Sequence, residues 1–239
     1  MIGDNYFSFL NSIVKVTLPN SLKKIGKVAF GYCLNLKKIN FPNNPIGSIE
    51  IDEDSFTNCI SLENLNIKKG VTKIGHGAFS RCESLENVYL PDSLLSIDEL
   101  FFGCNNLKSV RLPPNLEKIE SSTFYCCHSL ENINLPENLK EIGEYAFKNC
   151  ISLKNISFPD SLVKISCNAF EGCKRLENIN FNEGLEIIDD EVFLHCNNLR
   201  EITLPISLKH IGNRAFACCI RLKKVKMNDD VIKMGDAVF

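Results

Sequence analysis

The sequence predicts a repeat solenoid: a right-handed coil of about ten repeats of about 23 residues each, with a main parallel β-sheet, a second sheet of shorter strands, and short helical or 3-10 turns. Three observations predict it. A motif returns along the chain, as in LENINLPENLKEIGEYAFKNC, LKNISFPDSLVKISCNAFEGC and LREITLPISLKHIGNRAFACC. A phenylalanine slot keeps the register through Phe30, Phe56, Phe79, Phe102, Phe124, Phe147, Phe170, Phe193, Phe216 and Phe239, with Phe101 an equal candidate for its own coil. Apolar residues fill fixed columns, such as Leu130, Leu153 and Leu176, Ile133, Ile156 and Ile179, and Ile142, Ile165 and Ile188. One unit of this length cannot bury its own apolar face, but stacked units lend side chains to one another.

Each part of the motif predicts an element. The I-x-L piece alternates with period two and reads as a short strand. A proline follows it at Pro91, Pro113, Pro136, Pro159 and Pro205, and with no amide hydrogen it ends the strand. The L-x-x-I-G piece reads as a second, shorter strand, and A-F-x-x-C as a helical or 3-10 turn. Gly26, Gly75, Gly143, Gly212 and Gly235 share one slot and read as residues of the turn chosen for backbone conformation. With strands about 4.8 Å apart, ten coils make a rod or arc of roughly 45–50 Å. The first interval in the phenylalanine register is longer, with an insertion around Pro45 to Ile49.

The full pattern LPxxLxxIGxxAFxxC resembles the BspA-like leucine-rich repeat family, from about Ile13 to Phe239. The resemblance implies a leucine-rich-repeat-type coil. It also implies a non-catalytic protein of the interaction or adhesion type, with surface or secreted relatives in microbes, and it carries over no catalytic residues. Residues 1–12 are expected to form an N-terminal cap. Residues 13–239 are expected to form the array, incomplete at its C-terminus because the chain stops on Phe239 in mid-repeat. That uncapped end is an expected route to self-association.

Composition narrows the function. The 239 residues carry a formal net charge of -2, which argues against a phosphate backbone as main partner, so no nucleic acid is expected. No apolar run approaches the length of a membrane span, so no membrane insertion is expected. The start MIGDNYFSFLNS has no Lys or Arg ahead of its short apolar stretch, so no secretion signal is read there. Localisation therefore stays open between the cell surface or secretion, implied by the resemblance, and an intracellular scaffold or effector.

Of the twelve cysteines, Cys33, Cys59, Cys82, Cys104, Cys127, Cys150, Cys173, Cys196 and Cys219 hold one slot, while Cys126, Cys167 and Cys218 lie outside it. The reading is a buried column of reduced thiols, small and apolar under the preceding phenylalanine. Disulfides between coils and zinc binding are the rivals; zinc would need four convergent ligands, usually with CxxC spacing. In Cys126-Cys127 and Cys218-Cys219 one member of each pair should face out. His76, His128, His195 and His210 fall in different slots and read as surface residues. Acidic residues such as Asp98, Asp189 and Asp190 sit in or beside the glycine slot and should line one edge. No catalytic site, cofactor site or metal site is expected.

The expected binding surface is the outward face of the main sheet. Its positions run from Lys38 and Asn40 through Asn87, Tyr89, Ser109, Arg111, Asn132 and Asn134 to Glu201, Thr203, Lys224 and Lys226, and half of the eighteen are Asn. Asn is disfavoured in strands. Its recurrence is explained by a hydrogen-bonded ladder along the solenoid or by a recognition surface. Tyr89 and Arg111 fill one slot in adjacent coils, as a binding hot spot or as a cation–π pair. A protein partner is expected, with Tyr89, Arg111, Asn87, Asn132, Asn134, Lys224 and Lys226 as candidate contacts. Lys38, Lys224 and Lys226 make both ends of the face basic. The alternation Glu86, Lys108, Glu131, Lys154, Glu177, Arg200 should place opposite charges side by side.

Overall fold

The structure is a computed structural model that describes residues 1–43, 45–227 and 233–239. The chain winds as a parallel-strand solenoid in which each coil sits on the one before it. On one side, the strands Lys15–Thr17, Lys38–Asn40, Asn64–Asn66, Asn87–Tyr89 and Ser109–Arg111 form a five-stranded sheet in chain order. Further along that side, Asn155–Ser157 pairs with Asn178–Asn180, and Glu201–Thr203 with Lys224–Lys226. On the other side, Lys24–Ile25, Ile49–Ile51 and Val71–Ile74 make one short sheet. The strands Lys118–Ile119, Glu141–Ile142, Lys164–Ile165, Ile187–Ile188, His210–Ile211 and Lys233–Met234 make another. The second sheet expected from L-x-x-I-G is therefore present, in two parts.

The main sheet is not the unbroken ribbon the repeat predicts. Asn132–Asn134 hold no strand, and the ladder is interrupted on both sides of them. Where the ladder is intact, the residue after the strand donates its amide to the next coil: Leu18 to Asn40 at 3.0 Å, Ile67 to Tyr89 at 3.0 Å, Phe158 to Asn180 at 3.1 Å and Leu204 to Lys226 at 2.8 Å. Among the described residues, the equivalent bonds from Phe41 to Asn66, Leu135 to Ser157 and Phe181 to Thr203 are not made. These breaks matter below.

The A-F-x-x-C segment is not helical. No helix occurs among the described residues, and the amides show why. In one coil, Ala146, Lys148 and Cys150 donate three residues back, to Gly143, Tyr145 and Phe147. The alternate amides of Tyr145, Phe147 and Asn149 go instead to Cys167, Ala169 and Glu171 of the next coil. A helix needs every amide for its own ladder, so a segment that gives half of them to its neighbour forms a string of single turns. Two residues per coil take the left-handed conformation to make this possible, here Tyr145 at φ 57° and Asn149 at φ 60°.

Those left-handed residues also correct the role of the glycine slot. Gly26, Gly75, Gly143, Gly212 and Gly235 do not have positive φ; the residue two places on does, as Val28, Gly77, Tyr145, Arg214 and Ala237. Where the slot holds glycine within the array, the preceding coil lies close. A Cβ on Gly143 would lie 2.9 Å from the carbonyl oxygen of Ile119 and from the backbone of Glu120 and Ser121.

The core lies between the two sides. Phe30, Phe56, Phe79, Phe101, Phe124, Phe147, Phe170, Phe193 and Phe216 form one buried file, with neighbouring rings stacked, for example Phe124 on Phe147 at 5.1 Å and Phe147 on Phe170 at 5.0 Å. Phe101, not Phe102, holds the slot in its coil; Phe102 points outward and stacks on Tyr125. Residues 1–12 continue this packing, since Ile2 bridges to Ile25 and Phe7 stacks on Phe30 at 5.0 Å. Met227 and Met234, which stand at the C-terminal ends of two apolar columns of the repeat, are exposed.

The cysteine column has a specific partner. From Cys59 on, each column thiol points at the carbonyl oxygen of the slot phenylalanine in the preceding coil, as in Cys127 to Phe101, Cys150 to Phe124 and Cys173 to Phe147 at 3.2–3.3 Å, and Cys33 points at Phe7. All twelve cysteines are free. The parallel thiols do not face one another, which overturns the disulfide rival. Burial pushes the Cys104 thiol up to about 12 and raises Cys150 as well, so the column stays protonated and unreactive at neutral pH. A thiol reagent is therefore expected to label Cys218, the exposed one, quickly, Cys126 and Cys167 slowly, and the column only on unfolding. Peptide mapping by mass spectrometry checks this, and fast labelling of Cys104 or Cys150 would contradict it.

Candidate functional site: the outward face of the main sheet

On the outward face, successive coils align residue on residue. Asn64 sits opposite Asn87, Asn66 opposite Tyr89, Asn87 opposite Ser109, and Tyr89 opposite Arg111. The Asn side chains form a ladder, and much of their hydrogen bonding is internal. Asn87 Nδ2 donates to Asn64 Oδ1 at 3.2 Å, and Ser109 Oγ donates to Asn87 Oδ1 at 2.7 Å. Asn178 donates to Asn155 at 2.8 Å, and Asn180 to Ser157 Oγ at 3.0 Å. A side-chain amide with its carbonyl and amine both engaged in the file has less left to offer a ligand. The ladder thus accounts for the recurrence of Asn, and it stops at the sheet breaks, where Asn132 and Asn134 are exposed and outside any strand.

Tyr89 is 52% exposed and stands in register with Arg111, as expected. The two do not form a cation–π pair. The Arg111 guanidinium turns to Asp92, 2.8 Å away, and to the carbonyl oxygen of Leu90 at 3.3 Å. Asp92 follows Pro91 and was not among the sequence candidates. The cation–π contacts of the described residues lie on the turn side, where Arg81 covers Phe102 and Lys148 covers Tyr145. Lys224 pairs with Glu201 at 3.4 Å, so only part of the basic charge expected at that end is free; Lys226 is exposed beside it.

The alternating rim charges pair in part. Glu86 meets Lys108 and Glu131 meets Lys154, each at 3.0 Å. Such exposed pairs contribute about 0.2–1 kcal/mol each and serve register more than stability. The histidines do not converge. His76 lies 3.1 Å from Asp98 and 3.4 Å from Glu99. Burial pulls its pKa down, but Asp98, Glu99 and Asp54 outweigh that and hold it above the usual value. Asp189 pairs with Lys164, and Asp190 accepts the amide of Asn213. Among the described residues, no group of three or more His, Cys, Asp or Glu is placed to hold a metal ion.

Three grooves mark this face, and each opens where a ladder bond is missing. The largest, about 870 Å³, lies between Lys38–Asn40 and Asn64–Asn66 and is lined also by Lys37, Glu63 and Lys68. A second, of about 460 Å³, joins Asn132 and Asn134 to Asn155 and Ser157, with Glu137 and Asp160 on its ledge. A third, of about 270 Å³, joins Asn178 and Asn180 to Glu201 and Thr203, with Glu183 on its ledge. The sequence signal for the ledge was the residue after the strand-ending position: Asp92, Glu137, Asp160 and Glu183 recur there.

Comparison with known proteins agrees with this geometry. The family model of the BspA type leucine rich repeat region matches in six copies, over residues 1–131 and 117–239. The chain belongs to the BspA-type leucine-rich repeat family. Among solved structures, this leucine-rich repeat chain is similar to a leucine-rich repeat protein from Bacteroides ovatus, with 27% identity over 100% of this chain and 79% of that one, at a TM-score of 0.60. It shares its fold with the leucine-rich repeat protein of T. pallidum, 24% identical over 88% of this chain and 78% of that one, TM-score 0.54. It shares the fold too with the pneumococcal vaccine antigen PcpA, 24% identical over 93% of this chain and 54% of that one, TM-score 0.54. Among curated proteins none matches. No helix of the described residues is long and apolar enough to cross a membrane.

Proposed function

We propose that this leucine-rich repeat protein is a non-catalytic, protein-binding module that engages its partner through the outward face of the main sheet. One observation carries the reading: the outward face holds three grooves, each at a break in the ladder and each lined by its Asn file. Tyr89 stands between the first two as the one aromatic on the face, with Arg111 held beside it by Asp92. An exposed aromatic flanked by an oriented guanidinium is the kind of anchor that dominates protein interfaces. The family resemblance favours an adhesion-type role at a microbial surface. The twelve free thiols favour a second reading, an intracellular scaffold or effector, because reduced thiols persist better in a reducing compartment.

The test compares faces. Wild type, Tyr89→Ala/Arg111→Ala on the main sheet and Tyr145→Asn on the turn side are used to capture protein from host-cell surface extract and from the source organism's lysate. The main-sheet variant is expected to weaken capture about tenfold or more, while the turn-side variant binds as wild type. The reverse pattern would place the interface on the turns. Capture from surface extract favours the adhesin, and capture from the organism's own lysate favours the scaffold.

A further inference from the structure

The largest groove gathers unpaired lysines. Elsewhere on the main-sheet side, Lys108, Lys154 and Lys224 each have a carboxylate in a neighbouring coil, with Glu86, Glu131 and Glu201 as partners. In the first groove, Lys37, Lys38 and Lys68 line the wall and, among the described residues, none of them makes an ion pair. Glu63 is placed to follow the pattern, since its amide meets the carbonyl oxygen of Lys37 at 3.4 Å, yet no ion pair closes between the two side chains.

The groove has a physical origin. The interval from Phe30 to Phe56 is longer than the others, and the extra chain leaves after Lys38–Asn40. The two strands that flank the groove keep one register pair, Lys38 with Asn64, where intact neighbours keep three. The Phe41 amide and the Asn66 carbonyl do not meet. The cations come from the coils themselves: Lys37 and Lys38 precede the inserted chain, and Lys68 lies in the next coil.

Resting on the protein-binding reading above, we propose that this groove takes an extended, acidic segment of the partner protein. Lys37, Lys38 and Lys68 pair its carboxylates, and the Asn40 and Asn66 side chains hydrogen-bond its backbone. The neighbouring charges select a peptide over a long polyanion. Beyond Tyr89 the ledge carries Asp92, Glu137, Asp160 and Glu183, so a uniformly anionic chain lying along the face is repelled after the first groove. The complementary segment is bipolar: acidic over the first groove and basic over the second. The two grooves are separated by the coils of Asn87 and Ser109, so about three strand spacings of 4.8 Å, or roughly 15 Å, lie between them. An extended chain crosses that distance in about four or five residues.

The experiment uses fluorescein-labelled synthetic peptides and fluorescence anisotropy on the intact chain. One peptide joins a block of glutamates to a block of lysines through a Gly/Ser spacer of about five residues. Controls are an uncharged peptide, an all-lysine peptide and a sulfated heparin fragment. The bipolar peptide is expected to bind best, to weaken as salt rises, and to lose about tenfold in affinity in Lys37→Gln/Lys38→Gln/Lys68→Gln. These side chains make no ion pairs among the described residues, and circular dichroism confirms that the variant is folded. Equal binding by the uncharged peptide, or no change in the triple variant, would overturn the proposal. Tighter binding by heparin would overturn the partner class in favour of an anionic polysaccharide. If the peptides fail while Tyr89→Ala/Arg111→Ala still abolishes protein capture, the groove assignment falls and the binding face stands; if both fail, the face falls with it.

Discussion

Phe147→Ala is expected to destabilise the array by about 3–5 kcal/mol, the usual cost of emptying a buried aromatic site. Phe147 has no exposed surface, and its ring is stacked between Phe124 and Phe170 at 5.1 and 5.0 Å. The site cannot collapse easily. The backbone on both sides is fixed by the inter-coil bonds of Phe147 to Ala169 and of Phe124 to Ala146. In a solenoid each coil is held mainly by its neighbours, so the loss also weakens the coupling between the two halves of the array. Urea unfolding of the variant should show a lower midpoint and a broadened or split transition. A loss below about 1 kcal/mol with a single sharp transition would mean that the file of rings does not carry coil-to-coil cohesion.

Gly143→Ala is the second large effect, at about 1–3 kcal/mol, the range for forcing an extra carbon into a packed contact. The added Cβ meets backbone atoms, the Ile119 carbonyl oxygen and the Glu120 and Ser121 backbone, each at 2.9 Å, and backbone cannot rotate away as a side chain can. Gly3 supplies the control. It has the same place after an isoleucine, but a Cβ there would meet nothing within 4 Å. Gly3→Ala should leave the thermal midpoint unchanged while Gly143→Ala lowers it by several degrees. Equal effects would return the slot to a role in backbone conformation, which the φ values already argue against.

The parts of this protein that were legible in the sequence are those set by side-chain periodicity. The columns through Leu153, Ile156 and Ile165 are buried, the strand before Pro159 is a strand, and Cys150 is a buried thiol. Periodicity reports which way a side chain points, and little else. It could not show that Tyr145, Phe147 and Asn149 give their amides to the next coil, so the turn read as helical. Val28, Tyr145 and Arg214 are not residue types that announce a left-handed conformation; their φ is imposed by stacking between coils.

The outward face of the main sheet was legible as a face, and its local geometry less so. Tyr89, Arg111 and the Asn file stand where the register puts them. The Arg111–Asp92 pair was missed because Asp92 lies past the strand, on a ledge that the strand motif does not cover. Asn132 and Asn134 were expected in a continuous sheet and fall at a break in it. The first groove was visible only as an irregularity, the insertion around Pro45 to Ile49. The sheet also opens beside Asn132–Asn134, where the period is regular, so periodicity alone did not locate the breaks.

On the proposed function, partners bind the outward main-sheet face. The most direct measurement places the photo-crosslinker p-benzoylphenylalanine at Tyr89 in one variant and at Tyr145, on the turn side, in another. Both are exposed tyrosines, so each replacement keeps an aromatic in place. On irradiation with captured protein, the account predicts a defined crosslinked partner from position 89 and none from position 145. A crosslink from position 145 alone would contradict it and move the interface to the turns.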